Sequence, residues 1–83
     1  MPRPATGIPE NEAAAAHFRA LKAAKRFTFP QLEQATGIKQ AQLKRLFLDQ
    51  ATFTLGDVRK ISIALGVDPH VEFVKILTEV DSD

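Results

Sequence analysis

The side chains able to do directional polar chemistry are concentrated between residues 39 and 45, Lys-Gln-Ala-Gln-Leu-Lys-Arg. Gln40 and Gln42 each carry an amide with two donors and an acceptor oxygen. Lys44 adds an ammonium and Arg45 a planar fork of N–H donors. Such groups hydrogen-bond to planar polar edges and pair with anions, and they do not form an acid–base pair. The rest of the chain does not supply one. His17 and His70 are far apart in sequence, Cys and Tyr are absent, and Ser62 and Ser82 have no base near them in sequence. Nor do the carboxylates form a pair with a reason to be buried, so an enzyme is not expected. A metal site and a cofactor are not expected either, since thiolates are missing and no second His or acidic cluster accompanies His17.

Two short helices broken at one glycine position this polar run. Thr28 is an N-cap type, with Pro30 just inside the start where a missing N–H costs nothing. Gly37 closes the first of the two helices, since glycine enters the left-handed region without a Cβ clash. Ile38, Leu43 and Leu46 then give the second helix one apolar edge, and Gln40, Gln42, Lys44 and Arg45 give it an edge rich in donors. A helix, a glycine turn and a donor-rich second helix form the outline of a DNA-reading helix-turn-helix.

Composition is compatible with that outline. The 83 residues make one small domain without room for a large cofactor site. Net charge is +1, but it is unevenly spread. Residues 1–60 hold ten Lys and Arg against five Asp and Glu, a balance of +5; residues 61–83 hold Lys75 against five acids, a balance of −4. One basic surface and an acidic end are expected. The sequence shows no apolar run long enough for a membrane span and no secretory-signal pattern, so the expected location is the cytoplasm, with the nucleoid.

The remaining segments read as three further helices and two tails. Residues 1–10, with three prolines and a glycine, are expected to form a flexible tail, and 81–83 a short C-terminal one. Between them, residues 11–80 form the domain. Asn11 is read as the N-cap of a first helix that buries Phe18 and Leu21, with Arg19, Lys22, Lys25 and Arg26 mainly off that stripe. His17 beside the stripe is expected to be a surface or partly buried residue. Phe27 and Phe29 bracket Thr28, one of them stapling the following helix. Phe53 anchors the 49–53 loop, and Thr54 caps a fourth helix that buries Leu55, Val58, Ile61 and Leu65 and stops at Gly66. Asp68 and Pro69 open a fifth helix. It holds more apolar residues than one stripe needs: Val71, Val74 and Leu77 are expected in the core, leaving Phe73, Ile76 and Val80 for a dimer contact. The fold class is therefore all-α, a compact domain of five helices.

From about Phe18 to Leu77 the chain resembles the phage-repressor type of helix-turn-helix domain, the Cro and C1 repressor (XRE-like) family. The resemblance rests on the basic first helix ending in KRFT, the PQLEQATGI turn, the IKQAQLKRL helix and, most telling, TLGDVRKISIALGVDP. It implies that Gln40, Ala41, Gln42, Lys44 and Arg45 read bases in a major groove. Gln is suited to an adenine edge, Arg to a guanine edge, and Ala41 to a thymine methyl. It implies phosphate contacts from Lys25, Arg26 and Lys39. The chain departs from the family pattern in three respects. Phe29 stands where a DNA-bonding Gln is common. Glu33 stands where Ala is common, and its carboxylate must turn outward or pair with a base such as Lys44 or Arg45. Phe47 and Leu48 stand where charged residues are usual.

The function this implies is a sequence-specific, repressor-like transcriptional regulator, binding double-stranded DNA with a two-fold operator as a homodimer. Two alternatives remain: an antitoxin that also holds a protein partner, and a protein-interaction module anchored by Phe29, Phe47, Leu48 and Phe73.

Overall fold

The computed structural model describes residues 8–81, which form five helices: α1 (Pro9–Lys25), α2 (Phe29–Thr36), α3 (Gln40–Phe47), α4 (Leu55–Ala64) and α5 (Pro69–Asp81). Among the described residues there is no strand. Beyond α1, Thr28, Gly37, Thr54 and Gly66 mark helix ends as expected. Thr28 accepts from the Gln31 N–H while the Gln31 side chain accepts from the Thr28 N–H, a reciprocal capping box. Thr54 and Asp57 make the same box at the start of α4. Gly37 takes the left-handed conformation (φ 78°) and its N–H donates to the Glu33 carbonyl, closing α2. Past α4, the N–H groups of Gly66 and Val67 reach back to Ile63 and Ser62, and Val67 packs on the core.

The first helix begins earlier than the sequence suggests. Ile8 is its N-cap residue, and Pro9 supplies the preset φ of the first turn. Asn11 is thus not a cap but a buried side chain (3% exposed) facing the loop after α3. Its amide donates to the Asp49 carboxylate and to the Ala51 carbonyl (3.0 Å), and its oxygen accepts from the Phe53 N–H at 2.7 Å. The expected tail therefore loses Pro9 and Glu10 to α1, and residues 1–7, like 82–83, lie outside the described residues.

Phe18, Leu32, Leu43, Leu46, Phe47 and Ile61 form the centre of the core, where the rings of Phe18, Phe47 and Phe53 gather. Leu65 and Ile76 close it from the side of α5. Two expectations fail at this layer. Leu55 stays outside the core, well exposed at the first position of α4. On α5 the core face is set by Glu72 and Ile76, leaving Val71, Val74 and Leu77 exposed. Ile76 therefore leaves the expected dimer face, Phe73 remains 38% exposed and Val80 is half-buried. The buried Glu72 explains the rotation: its carboxylate meets His17 of α1, Oε1 to Nε2 2.7 Å, with Lys75 Nζ 3.6 Å from Oε2. A buried carboxylate needs partners, and those partners orient the helix that carries it.

Candidate nucleic-acid interface

The donor-rich run folds as α3, with Lys39 as its N-cap residue and Lys44 and Arg45 in its last turn, where cations favour the helix dipole. Leu43, Leu46 and Phe47 pin one side of α3 into the core. The opposite side carries the exposed Ala41, Lys44 and Arg45, with Gln40 and Gln42 half-buried beside them. All five residues assigned to base reading thus lie outside the sealed core on one short helix. Arg19 of α1 closes the far end of that helix, donating from Nη1 to the Phe47 carbonyl at 2.6 Å. The loop beyond is clamped by Asn11, so both the direction and the end of α3 are fixed.

Lys25, Arg26 and Lys39, the expected phosphate contacts, are exposed. Arg26 sits in the left-handed region (φ 57°) just after α1, its N–H donating to Ala23 while the Phe27 N–H returns to Lys22. That conformation is strained for a residue with a Cβ.

The structure places each of the residues that depart from the family pattern. Phe29 packs edge-on against Phe47, with ring centroids 5.6 Å apart. Lys22 Nζ lies 4.3 Å from the Phe29 ring centroid and Lys44 Nζ 5.8 Å, so one ring brings cations from α1 and α3 to the start of α2. Phe47 is core and Leu48 is surface, 1% and 58% exposed. Of the two expected outcomes, turning outward or pairing with a base such as Lys44 or Arg45, Glu33 follows neither fully: it is half-buried and forms no ion pair with either residue. Its Oε1 accepts from Gln40 Nε2 at 3.1 Å. Sequence reasoning supplied a plausible partner by charge, while the fold supplied one by position: Gln40 opens α3 directly across the glycine turn from Glu33.

Among the described residues no group of three or more His, Asp or Glu could hold a metal ion, and no helix is long and apolar enough to cross a membrane. A family model, the Cro/C1-type HTH DNA-binding domain, matches residues 17–70. That span covers α2, α3 and α4 whole, and leaves most of α5 outside. Comparison with curated proteins and with solved structures returned no match.

Proposed function

The chain belongs to the Cro/C1-type helix-turn-helix DNA-binding family, and on that premise we propose that it is a repressor-like regulator that binds a two-fold operator as a homodimer. Support comes from the side of α3 that carries exposed Lys44 and Arg45 and half-buried Gln40 and Gln42, held by a buried opposite side and closed at its end by Arg19. In this reading α3 lies in the major groove. Gln40, Ala41, Gln42, Lys44 and Arg45 meet base edges, and Lys25, Arg26 and Lys39 meet phosphates. Lys22, gathered with Lys44 on Phe29, joins the phosphate contacts.

The proposed dimer face keeps Phe73 and Val80, drops the buried Ile76 and takes Val74 and Leu77 in its place. One small domain makes few base contacts, and pairing two of them on linked half-sites multiplies affinity. The alternative of an interaction module is weakened by the burial of Phe47 and by the lysines over Phe29, which remove two of its four anchors.

Random-oligonucleotide selection with the full chain tests the reading. An inverted repeat with half-site centres about 10 base pairs apart is expected, with affinity falling steeply as salt rises. Replacing Gln40, Lys44 and Arg45 by Ala should abolish selection with the fold intact. Enrichment of no sequence, or binding indifferent to salt, overturns the proposal.

A further inference from the structure

The Glu33–Gln40 contact determines which way round a base-reading amide is held. A carboxylate only accepts hydrogen bonds, so the end of the Gln40 amide facing Glu33 must be the nitrogen. The Gln40 oxygen then points away from Glu33, together with the second N–H of the amide. Turning the amide over would place its oxygen against the Glu33 carboxylate, acceptor against acceptor, and lose the 3.1 Å bond. Both residues are half-buried, where water screens such a clash less than it does in the open.

We propose that Glu33 is a positioning residue that holds the Gln40 amide with its oxygen outward, restricting the base read by Gln40 to one that presents an exocyclic amino group, adenine foremost. The inference rests on the regulator reading above. An outward oxygen needs a donor: adenine N6 and cytosine N4 supply one in the major groove, whereas guanine O6 and N7 and thymine O4 only accept. Adenine adds the N7 acceptor beside its amino group, which matches the remaining N–H of the Gln40 amide. Guanine, with acceptors at both O6 and N7, offers no donor to the outward oxygen and can take only the one remaining N–H.

Glu33 reaches the base only through Gln40, which separates its role from a general effect of its charge. Removing that charge alone should shift affinity for all sequences together, as any change in phosphate attraction does. Losing the hold on Gln40 should alter preference at one base pair. Glu33→Gln keeps the shape and can either donate to or accept from the Gln40 amide, so both orientations become available. Glu33→Ala removes the anchor altogether.

The test is base preference measured by random-oligonucleotide selection for the unaltered chain, Glu33→Gln, Glu33→Ala, Gln40→Ala and the Glu33→Gln/Gln40→Ala double variant, with thermal melting to show that each is folded. Gln40→Ala identifies the base pair that Gln40 reads. At that pair the unaltered chain should favour adenine, and Glu33→Gln should reduce its preference over guanine by roughly tenfold, the scale of one good bidentate contact. Other positions should keep their preferences, and Glu33→Gln should add nothing in the Gln40→Ala background. In the free protein, the Gln40 side-chain NH₂ signals should move in the Glu33→Gln spectrum. An unchanged preference at that pair in Glu33→Gln, equal changes at every position, or a guanine preference in the unaltered chain overturns the inference while leaving the regulator reading standing. Failure of the unaltered chain to bind any DNA in a salt-dependent way overturns the regulator reading, and this inference with it.

Discussion

Replacing Asn11 by Ala tests whether the loop behind α3 is held by one buried amide. Asn11 makes three hydrogen bonds, to the Asp49 carboxylate, the Ala51 carbonyl and the Phe53 N–H. Two neutral bonds contribute about 1 kcal/mol each and one to a charged group about 1.5–3 kcal/mol. The partner groups are half-buried, so water can recover part of this after truncation. A loss of about 3 kcal/mol is expected, a large share of the ~5–15 kcal/mol that holds a small domain together. In a domain of this size that corresponds to a fall of roughly 12–24 °C in Tm. Urea unfolding followed by circular dichroism gives the free energy directly, and an unchanged m-value shows that the same surface is exposed. Asn11→Asp separates this clamp from a helix cap. A cap tolerates Asp, and its loss to Ala costs about 1 kcal/mol. The clamp does not tolerate Asp, because a carboxylate can accept from Phe53 but cannot donate to Asp49 or Ala51 and adds a second negative charge beside Asp49. A cost under about 1 kcal/mol for Asn11→Ala, or near-full stability in Asn11→Asp, would refute the clamp.

Other substitutions read other layers of the structure. Arg26→Gly should raise stability slightly, by about 0.5 kcal/mol, as relief of the left-handed conformation outweighs the added freedom of the unfolded chain. The same change should weaken DNA binding at all sequences, so melting and titration should move in opposite senses. His17→Ala leaves the buried Glu72 carboxylate with only Lys75 beside it and should cost about 3 kcal/mol in chemical denaturation. Ser62 is fully buried and its Oγ has no hydrogen-bond partner, so Ser62→Ala should be neutral or stabilising by up to about 1 kcal/mol, measured the same way. The Asp68 carboxyl is held below its usual range by the His70 backbone N–H and then by the His70 imidazole. Its folded value is the depressed one, so its contribution is complete above the ordinary carboxylate range and is lost as pH falls below about 4. Asp68→Ala should remove that part of the acid dependence of melting.

Local chemistry made most of the fold legible. Thr28, Gly37, Thr54, Gly66 and Pro69 each act within a few residues of their own position, through caps, left-handed turns and a fixed φ. Spacing gave the core of α3, because an eight-residue helix with Leu43 and Leu46 on one side has few ways to sit. What sequence could not give were contacts between distant residues. Asn11 has the same identity as a cap or as a clamp, and only a loop some 40 residues away decides between them. Glu72 looked like one more acid in an acidic tail until His17, 55 residues earlier, came to face it. That pairing turns α5 so that Ile76 enters the core and Val74 leaves it, a choice the crowded apolar pattern of the helix left open. The polar run of α3 was legible as the side of one helix turned away from the core; the contact of Glu33 with Gln40 was not, because charge alone favoured Lys44 and Arg45.

Phe29 and Glu33 stand four residues apart on α2, so they share one face of that helix. Each engages a different turn of α3: Glu33 takes Gln40 at its first position, and the Phe29 ring draws Lys44 and rests on Phe47 near its end. Two of the residues that depart from the family pattern therefore act together on α3. In the proposed complex Phe29 would forgo a hydrogen bond to DNA while gathering two cations, shifting contact strength towards charge, which is insensitive to sequence. On the proposed role of Gln40, Glu33 would work in the opposite sense, narrowing what one amide can read and adding a negative charge that phosphates oppose. A domain that gains attraction from one substitution and selectivity from its neighbour keeps a specificity ratio that either change alone would shift, and that ratio, rather than bare affinity, determines whether a regulator finds its site among many others.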